Sequence, residues 1–568
     1  MRNTYGAAIT SRHMAISLFA LSGGLCTLFF AGGMGISFMP ALVFCTVALI
    51  IAWSNNKQVE VPFHTLIYFA FCGICALSIF WSNVSYASLA SFLVLSIMPL
   101  TYFIGRTTTN AQKTPLGLYL LVIVGVSCGL IGGLQSYLIN ANRLTFIFAN
   151  PNLFSAFIVV CLTISIGFAA LAAPSAKVSK ALWLITAIFL LIILMLTGSR
   201  SGLVAALSTT GFIWLFLGRA QKLRWGFGFV ATYFILGSIF YALDTDAFMR
   251  VWQSFSSAAH DITNGRIVIW QGAWTLAKDH ISTGTGFGTF YLNYPPYRLP
   301  LDPSVGDWAH WDGLQILSEI GIFGALCWYL FWCVLLVSIF KARKALSPVA
   351  VICAAVVLGL FVQGHFTYLY LAMPFLFILG LCLAYFDTCL MSQNKVTHLK
   401  IHKIAIVMFT VIICALSIQA AGSIYLTQLA KDDMMRMDAN AAFDKIEQVE
   451  AWGSPYFYEH LMVSGKRGDV TALDNAQTRC DPCAMPSFIQ GLMALQKGEV
   501  KQAKGKMWDA MQKDPSNQTI RAYFLNILIE QDRLNEAATI AFHGLQYPAE
   551  PDTINFYKDI ISKHQEMN

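Results

Sequence analysis

Thirteen stretches of this chain are apolar over enough residues to cross about 30 Å of hydrocarbon as helices, and that number leaves few folds open. They run at about 14–33, 36–53, 63–81, 86–105, 115–138, 152–173, 180–197, 201–218, 225–243, 313–340, 348–363, 370–387 and 404–424. In hydrocarbon each backbone N–H and C=O must be satisfied inside its own segment, so the spacing predicts an all-α, polytopic membrane helix bundle. Composition points the same way: 57% of the 568 residues are hydrophobic and 12% are charged, where a soluble domain carries about 25% charge.

The net charge of +7 does not signal nucleic acid, because the basic residues stand in short clusters between apolar stretches. With the N-terminus (Arg2, Arg12) in the cytoplasm, Lys57, Arg106/Lys113, Lys177/Lys180, Arg219/Lys222/Arg224, Lys341/Arg343/Lys344 and Lys395/Lys400/Lys403 fall on that same side. The alternate loops are nearly free of Lys and Arg, as the positive-inside bias requires. An odd number of spans then exports the long loop 244–312 and the tail 425–568, giving a membrane domain over 1–424 and a second domain over 425–568. The tight connections near 34 and 198 are the weakest links in this topology. The first stretch, with no small-residue cleavage site, reads as a retained anchor.

In the tail, charge returns and a repeat emerges. Leu495, Gly498, Ala503 and Asp514 correspond to Ile529, Asp532, Ala537 and Pro548, each 34 residues later. That is the tetratricopeptide period, in which stacked helix pairs bury one another's apolar faces and usually serve a protein partner. The region 432–485 is expected to supply capping turns. Of 14 cysteines only Cys480 and Cys483 stand in polar sequence. A structural disulfide is the favoured reading, since two cysteines alone make a poor zinc site.

Three segments carry polar chemistry on the exported side: Thr197-Gly-Ser-Arg200-Ser-Gly202, Asn264-Gly-Arg266-Ile-Val-Ile-Trp270, and Trp308-Ala-His310-Trp-Asp312-Gly-Leu-Gln315-Ile-Leu-Ser-Glu319-Ile-Gly321. Exported arginines oppose the orientation bias, and one near hydrocarbon depth costs at least about 2.5 kcal/mol without a partner. Arg200 is either an interfacial arginine pairing with a helix end or an anion receptor, whose planar fork matches phosphate oxygens two at a time. Arg266 is either a surface arginine or the cationic start of a stretch (Ile267, Trp270, Trp274) lying along the membrane. His310 is either structural or a base, since an imidazole titrating near ~6.5 suits proton removal from a hydroxyl. The acidic residues of the loop are scattered without ligand spacing, so no metal is expected. Gly284-Thr-Gly286-Phe-Gly288 lacks the Lys-Ser/Thr of a phosphate loop and reads as a turn.

Taken in order, Phe148-Ala-Asn150-Pro-Asn152, the Arg200 segment, Gly265-Arg266 with Trp270, Gly284 to Gly288, and Ala309-His310-Trp-Asp312-Gly-Leu-Gln315 through Gly321 resemble the O-antigen ligase and O-antigen polymerase superfamily, which includes bacterial protein O-oligosaccharyltransferases. The resemblance runs from about Phe146 to Phe386. It implies a bacterial inner-membrane bundle whose long periplasmic loop caps the active site. It also implies transfer of a glycan from a polyprenyl diphosphate carrier to an acceptor hydroxyl, with neither nucleotide nor metal cofactor. Arg200, Arg266 and His310 match the family's functional arginines and histidine. Where a small polar residue often follows that histidine, this chain has Trp311, which bears on the acceptor contacts.

Physical chemistry supports those roles, because fixed cations in a low dielectric stabilise a departing diphosphate. Attack opposite the leaving group would invert the anomeric centre. Tyr294, Tyr297 and Arg298 either line the sugar channel or form a rigid proline turn. Asn150 and Asn152 either bind glycan or cap the following helix, with the cap slightly favoured. Asp312 is a substrate contact or, with Glu319, orients His310. A ligase with a lipid acceptor is the leading reading; a repeat-unit polymerase and a protein O-oligosaccharyltransferase use the same donor. A secondary transporter is the alternative of another class, and would place ionisable groups or broken helices near mid-membrane.

Overall fold

The computed structural model describes residues 58–568, apart from short stretches of which the longer are 109–114, 172–176, 257–264, 393–396 and 452–467. The expected spans at 14–33 and 36–53, and the tight connection near 34, lie outside the described residues. Nine described helices are long and apolar enough to cross a membrane: Phe63–Phe80, Ser85–Arg106, Leu116–Leu138, Pro151–Leu171, Lys177–Leu196, Arg219–Ala242, Asp312–Ala342, Met373–Met391 and Lys403–Asp433. Pro348–Gly364 is apolar but shorter, and Arg200–Leu215 has 16 residues. The chain is thus largely helical and multi-pass, as the apolar periodicity predicts.

Its residues group into two compact units. One comprises 1–72, 93–262 and 326–417; the other comprises 73–92, 263–325 and 418–568. The second half of the long loop therefore groups with the tail and with the ends of four apolar helices, Phe63–Phe80, Ser85–Arg106, Asp312–Ala342 and Lys403–Asp433. This differs from a division at 424, and hydrogen bonding explains it: Leu301 N–H donates to Gln546 O at 2.9 Å and Arg298 Nη1 to Ser516 Oγ at 2.9 Å.

In the first unit Pro151–Leu171 is the central helix, buried along almost its whole length, whereas Arg219–Ala242 leaves Leu223, Phe227, Val230 and Phe234 exposed on one face. Such a face suits hydrocarbon, where apolar exposure costs nothing and small residues draw helices together. A Cβ on Gly125 would lie 2.5 Å from Cys161 Sγ, and one on Gly105 2.4 Å from Ala384 Cβ, so both glycines mark close helix crossings.

A fully buried polar cluster ties helix ends in this unit. His64 Nε2 lies 2.8 Å from Asp387 Oδ1, while Thr65 Oγ1 and Tyr102 Oη donate to Asp387 Oδ2 at 2.8 and 2.7 Å. Arg106 adds bonds to Thr388 Oγ1 and to the Glu60 carbonyl. All sit within a few residues of a helix terminus rather than at mid-span, so the cluster works as a staple and not as the mid-membrane relay a transporter would need.

Beside it lies the one departure from an all-helical fold among the described residues, an antiparallel pair of strands, Gln58–Pro62 and His398–His402, with Glu60 opposite Lys400. Glu60 Oε1 is 3.7 Å from Lys400 Nζ and 3.6 Å from His398 Nε2, the cross-strand and diagonal neighbours that fix register. The two loops joined here are those assigned to one face by their lysines.

In the second unit the tail's helices are Val470–Arg479, Ala484–Gln496, Val500–Lys513, Gln518–Glu530, Leu534–Gly544 and Pro551–Met567. Ala484 and Gln518, and likewise Val500 and Leu534, begin helices 34 residues apart. The turns match bond for bond: Gly498 N–H to Leu495 O and Glu499 N–H to Ala494 O recur as Asp532 N–H to Ile529 O and Arg533 N–H to Leu528 O. Gly498 and Asp532 both take a positive φ, 76° and 55°, and Ala503 and Ala537 are both fully buried. Cys480 and Cys483 are disulfide-bonded, within a core that includes Val84, Leu292 and Leu473.

Candidate active site

The loop's chemistry is built on the helix Arg266–Asp279, which starts after Gly265 at φ 79°. Ile269, Ala273, Leu276 and Ala277 share one helical face and bury it against Phe290, Tyr294, Ala309 and Leu314. Ile267 and Trp274 remain half exposed, as an interfacial stripe requires, but Trp270 has left that stripe. It turns inward, donates Nε1–H to Ala309 O at 3.0 Å and meets Trp311 edge-on at 5.5 Å. Four residues separate Arg266 from Trp270, so they lie on one face, and the bond to Ala309 carries Arg266 towards His310.

The Ala309 peptide is gripped from its other side too. Its N–H donates to Gln315 Oε1 at 3.0 Å, while Gln315 Nε2 donates to Glu319 Oε1 at 3.1 Å. Glu319 is wholly buried, and its carboxylate also accepts from Gly288 N–H at 2.8 Å and Phe290 N–H at 3.3 Å. One carboxylate thus links the glycine turn, Gln315 and the residue before His310. His310 itself holds φ 55°, a left-handed conformation that costs a β-carbon residue about 1–2 kcal/mol and persists where neighbours impose it.

The glycine motif, read from sequence as a turn, is one. Gly284, Gly286 and Gly288 all have positive φ, and Thr285 and Gly286 donate N–H groups to Ser318 O and Glu319 O at 3.1 and 2.8 Å. Those carbonyls are available because the helix Asp312–Ala342 breaks at Gly321 (φ 67°, ψ −167°), where a Cβ would lie 2.4 Å from Ser282 O. The two sequence motifs are therefore halves of one interlock.

Burial chiefly, and then the positive charge of Arg266, push the His310 imidazole down to about 4; Asp302 pulls weakly the other way. The ring is accordingly neutral at physiological pH, the form that accepts a proton. Asp302 is fully buried and accepts from Tyr294 Oη at 2.8 Å and Ser304 N–H at 2.8 Å, with Arg298 Nε at 3.5 Å. Sequence reasoning passed it over as one of several scattered acids. Tyr294 is buried and stacked on Phe290 at 4.7 Å, and Arg298 is engaged by Asp302, Ser304 and Ser516, so both brace the loop. Neither presents an open face to a sugar. Tyr297 is partly exposed beside them, and Asp312 is buried in the first turn of its helix.

Arg200 belongs to the first unit. Helices Lys177–Leu196 and Arg200–Leu215 join through three residues, with Gly198 at φ 59° making the turn and Ser199 capping the second helix by accepting from Gly202 N–H at 3.2 Å. Asn150 Oδ1 accepts from Asn152 N–H at 2.8 Å, and Asn152 Oδ1 accepts from Ser199 Oγ at 2.9 Å. Those oxygens serve the helix start and the Ser-Arg segment, as the capping alternative has it. Arg143, which sequence reasoning missed although the expected topology puts it on the same side as Arg200, donates to Thr197 O at 2.9 Å and Gly198 O at 3.3 Å. A guanidinium at the first position of a helix opposes the helix dipole. Dipole and cation would together attract a bound anion.

A family model described as O-Antigen ligase matches residues 185–329, about a quarter of the chain. Over those residues the chain is similar to the O-antigen ligase family. Arg200, Arg266, Tyr294, Tyr297, Arg298, His310, Asp312 and Glu319 lie within the matched segment; Arg143, Asn150 and Asn152 precede it. No curated protein matches the chain. The O-antigen ligase family comprises glycan-transferring membrane enzymes, and the polar clamp around His310 falls wholly inside its signature segment.

Substituting Glu319 tests the clamp. Glu319→Ala leaves buried N–H groups of Gly288 and Phe290 without their acceptor, a cost of about 1–3 kcal/mol for each group. Thermal unfolding should fall by several degrees, and Glu319→Gln should fall less because it keeps the volume and one oxygen. In both, glycan transfer should drop through kcat with donor KM little changed. An unfolding midpoint and kcat equal to those of the parent would contradict the clamp.

Proposed function

We propose that this chain transfers a glycan from a polyprenyl diphosphate carrier to an acceptor hydroxyl at the periplasmic face of the bacterial inner membrane, as an inverting ligase of the O-antigen type. Arg266 and Arg200 bind the diphosphate, and His310 removes the acceptor proton as the hydroxyl attacks the anomeric carbon. The bond from that carbon to the phosphate oxygen breaks, and the electron pair leaves with the diphosphate, where the guanidinium groups stabilise it. No step draws on a metal or a nucleotide. Gln315, Glu319 and Trp270 fix the base by holding the Ala309 peptide, while Asn152 and Arg143 brace the segment that carries Arg200.

The observation that carries this reading is the Ala309 peptide held between Trp270 and Gln315, because it sets a neutral imidazole beside a fixed cation. A base beside a cation is what transfer from an anionic leaving group requires. The recurring helix starts support a tetratricopeptide-like tail; its periplasmic side and its availability to a protein partner belong to the proposal.

Purified protein incubated with polyprenyl diphosphate glycan and candidate acceptors should yield glycan on a lipid acceptor, with free carrier diphosphate released in equal amount. Glycan lengthened on the carrier would make the enzyme a polymerase, and glycan on protein an O-oligosaccharyltransferase. Glycan crossing a vesicle with its glycosidic bonds intact would replace catalysis with transport.

A further inference from the structure

The tail holds a cavity of about 720 Å³ that the transfer reaction does not use. Its walls are the helices Val500–Lys513 and Leu534–Gly544, the second members of two successive repeating pairs, and Phe524 contributes to the lining between them. Small-molecule sites occupy about 300–1,000 Å³. Three cations, Lys501, Lys504 and Arg533, face one carboxylate, Glu536, so the lining carries excess positive charge. Glu536 is already shared between Lys504, at 3.5 Å, and Arg533. Lys501 makes no ion pair among the described residues.

Two further features describe the occupant. Trp508 keeps 46% of its surface exposed, and its ring is held by Phe524 at 5.6 Å, so it offers a fixed aromatic face instead of a core contact. Asn535 and Thr539 supply hydrogen-bonding side chains to the same lining. Gly505 stands in mid-helix, where glycine costs about 1 kcal/mol against alanine. Nothing lies within 4 Å of where its Cβ would be. The fold's own packing therefore does not ask for glycine there, and the position leaves open space in the lining.

From this set we infer that the cavity binds a short acidic saccharide, one to three pyranose units bearing carboxylates. Trp508 stacks on a sugar face, Lys501 and its cationic neighbours pair the carboxylate, and Asn535 and Thr539 meet hydroxyls. An aromatic plate with hydroxyl partners fits a pyranose better than an extended acidic peptide, which would use the charge and leave the plate idle. The assignment rests on the glycan-transfer reading for its relevance, since such a site would hold the saccharide portion of a donor or acceptor.

Full-length protein in detergent, titrated calorimetrically with trigalacturonate, should show saturable binding that weakens with salt. A neutral trigalactoside should bind at least tenfold more weakly. Trp508→Ala and Lys501→Glu should each weaken trigalacturonate at least tenfold. Gly505→Leu should weaken trigalacturonate at least tenfold by placing a side chain in the lining one turn from Trp508, while leaving the unfolding midpoint equal or higher. No saturable binding to the parent protein, or equal binding to all three variants, overturns the proposal. Tighter binding of hexaglutamate than of trigalacturonate overturns it in favour of a protein ligand. Binding is read without transfer, so its failure leaves the transfer reading standing. His310→Ala should leave trigalacturonate binding unchanged.

Discussion

Replacing His310 with alanine should lower glycan transfer by about 10²–10⁴-fold, the range that a positioned general base contributes, while the affinity for polyprenyl diphosphate glycan changes little. In the proposed reaction the imidazole acts on the acceptor proton and the guanidinium groups hold the donor, so the two readouts should separate. The pH profile carries a further signature. Burial and the Arg266 charge hold the ring's titration down to about 4. The neutral, active form therefore persists as pH falls through the ordinary histidine range near ~6.5. The acidic limb of kcat/KM in the parent enzyme should lie near pH 4, with a flat profile from pH 5 to 8. In Arg266→Gln the residual activity should show that limb moved upwards, because one of the two influences depressing the imidazole is gone. An alanine variant that transfers at near the parent rate would remove His310 from the chemistry. A limb near 6.5 in the parent would mean that the ring is solvated as it works.

Local features were legible in sequence and paired features were not. Apolar runs gave spans such as Leu116–Leu138 and Pro151–Leu171 within two residues, because helix formation in lipid depends on a segment's own length and hydropathy. The 34-residue recurrence was readable for the same reason: Gly498 and Asp532 mark equivalent turns whose residues sit close in sequence. The strands Gln58–Pro62 and His398–His402 escaped, since each is five residues long and acquires meaning only from a partner more than 300 positions away.

The site divides along the same line. Arg266, His310 and the glycine turn stood out as residue types in unusual places. Sequence suggested that Glu319 orients His310, and the structure adds the route from its carboxylate through Gln315 to the preceding residue, with further bonds from Gly288 and Phe290. Distance along the chain carried no hint of that relay. Asp302 is of a common type without a motif, and only its burial and its partners distinguish it; Arg143 carried the same arginine signal as Arg200 without a motif around it.

In the proposed reaction the charges of Arg200 and Arg266 act on one diphosphate. A double-mutant cycle on binding of the glycan-bearing polyprenyl diphosphate tests this, using the parent protein, Arg200→Ala, Arg266→Ala and the pair. Charge-assisted contacts of this kind are worth about 1.5–3 kcal/mol each, so each single change should weaken binding by roughly 10–100-fold. Groups that share a ligand do not lose affinity independently, so the pair should lose measurably less than the product of the two single losses. Losses that multiply, with a coupling below about 0.5 kcal/mol, would mean that the two arginines serve separate sites, and the proposed chemistry would fall with that result.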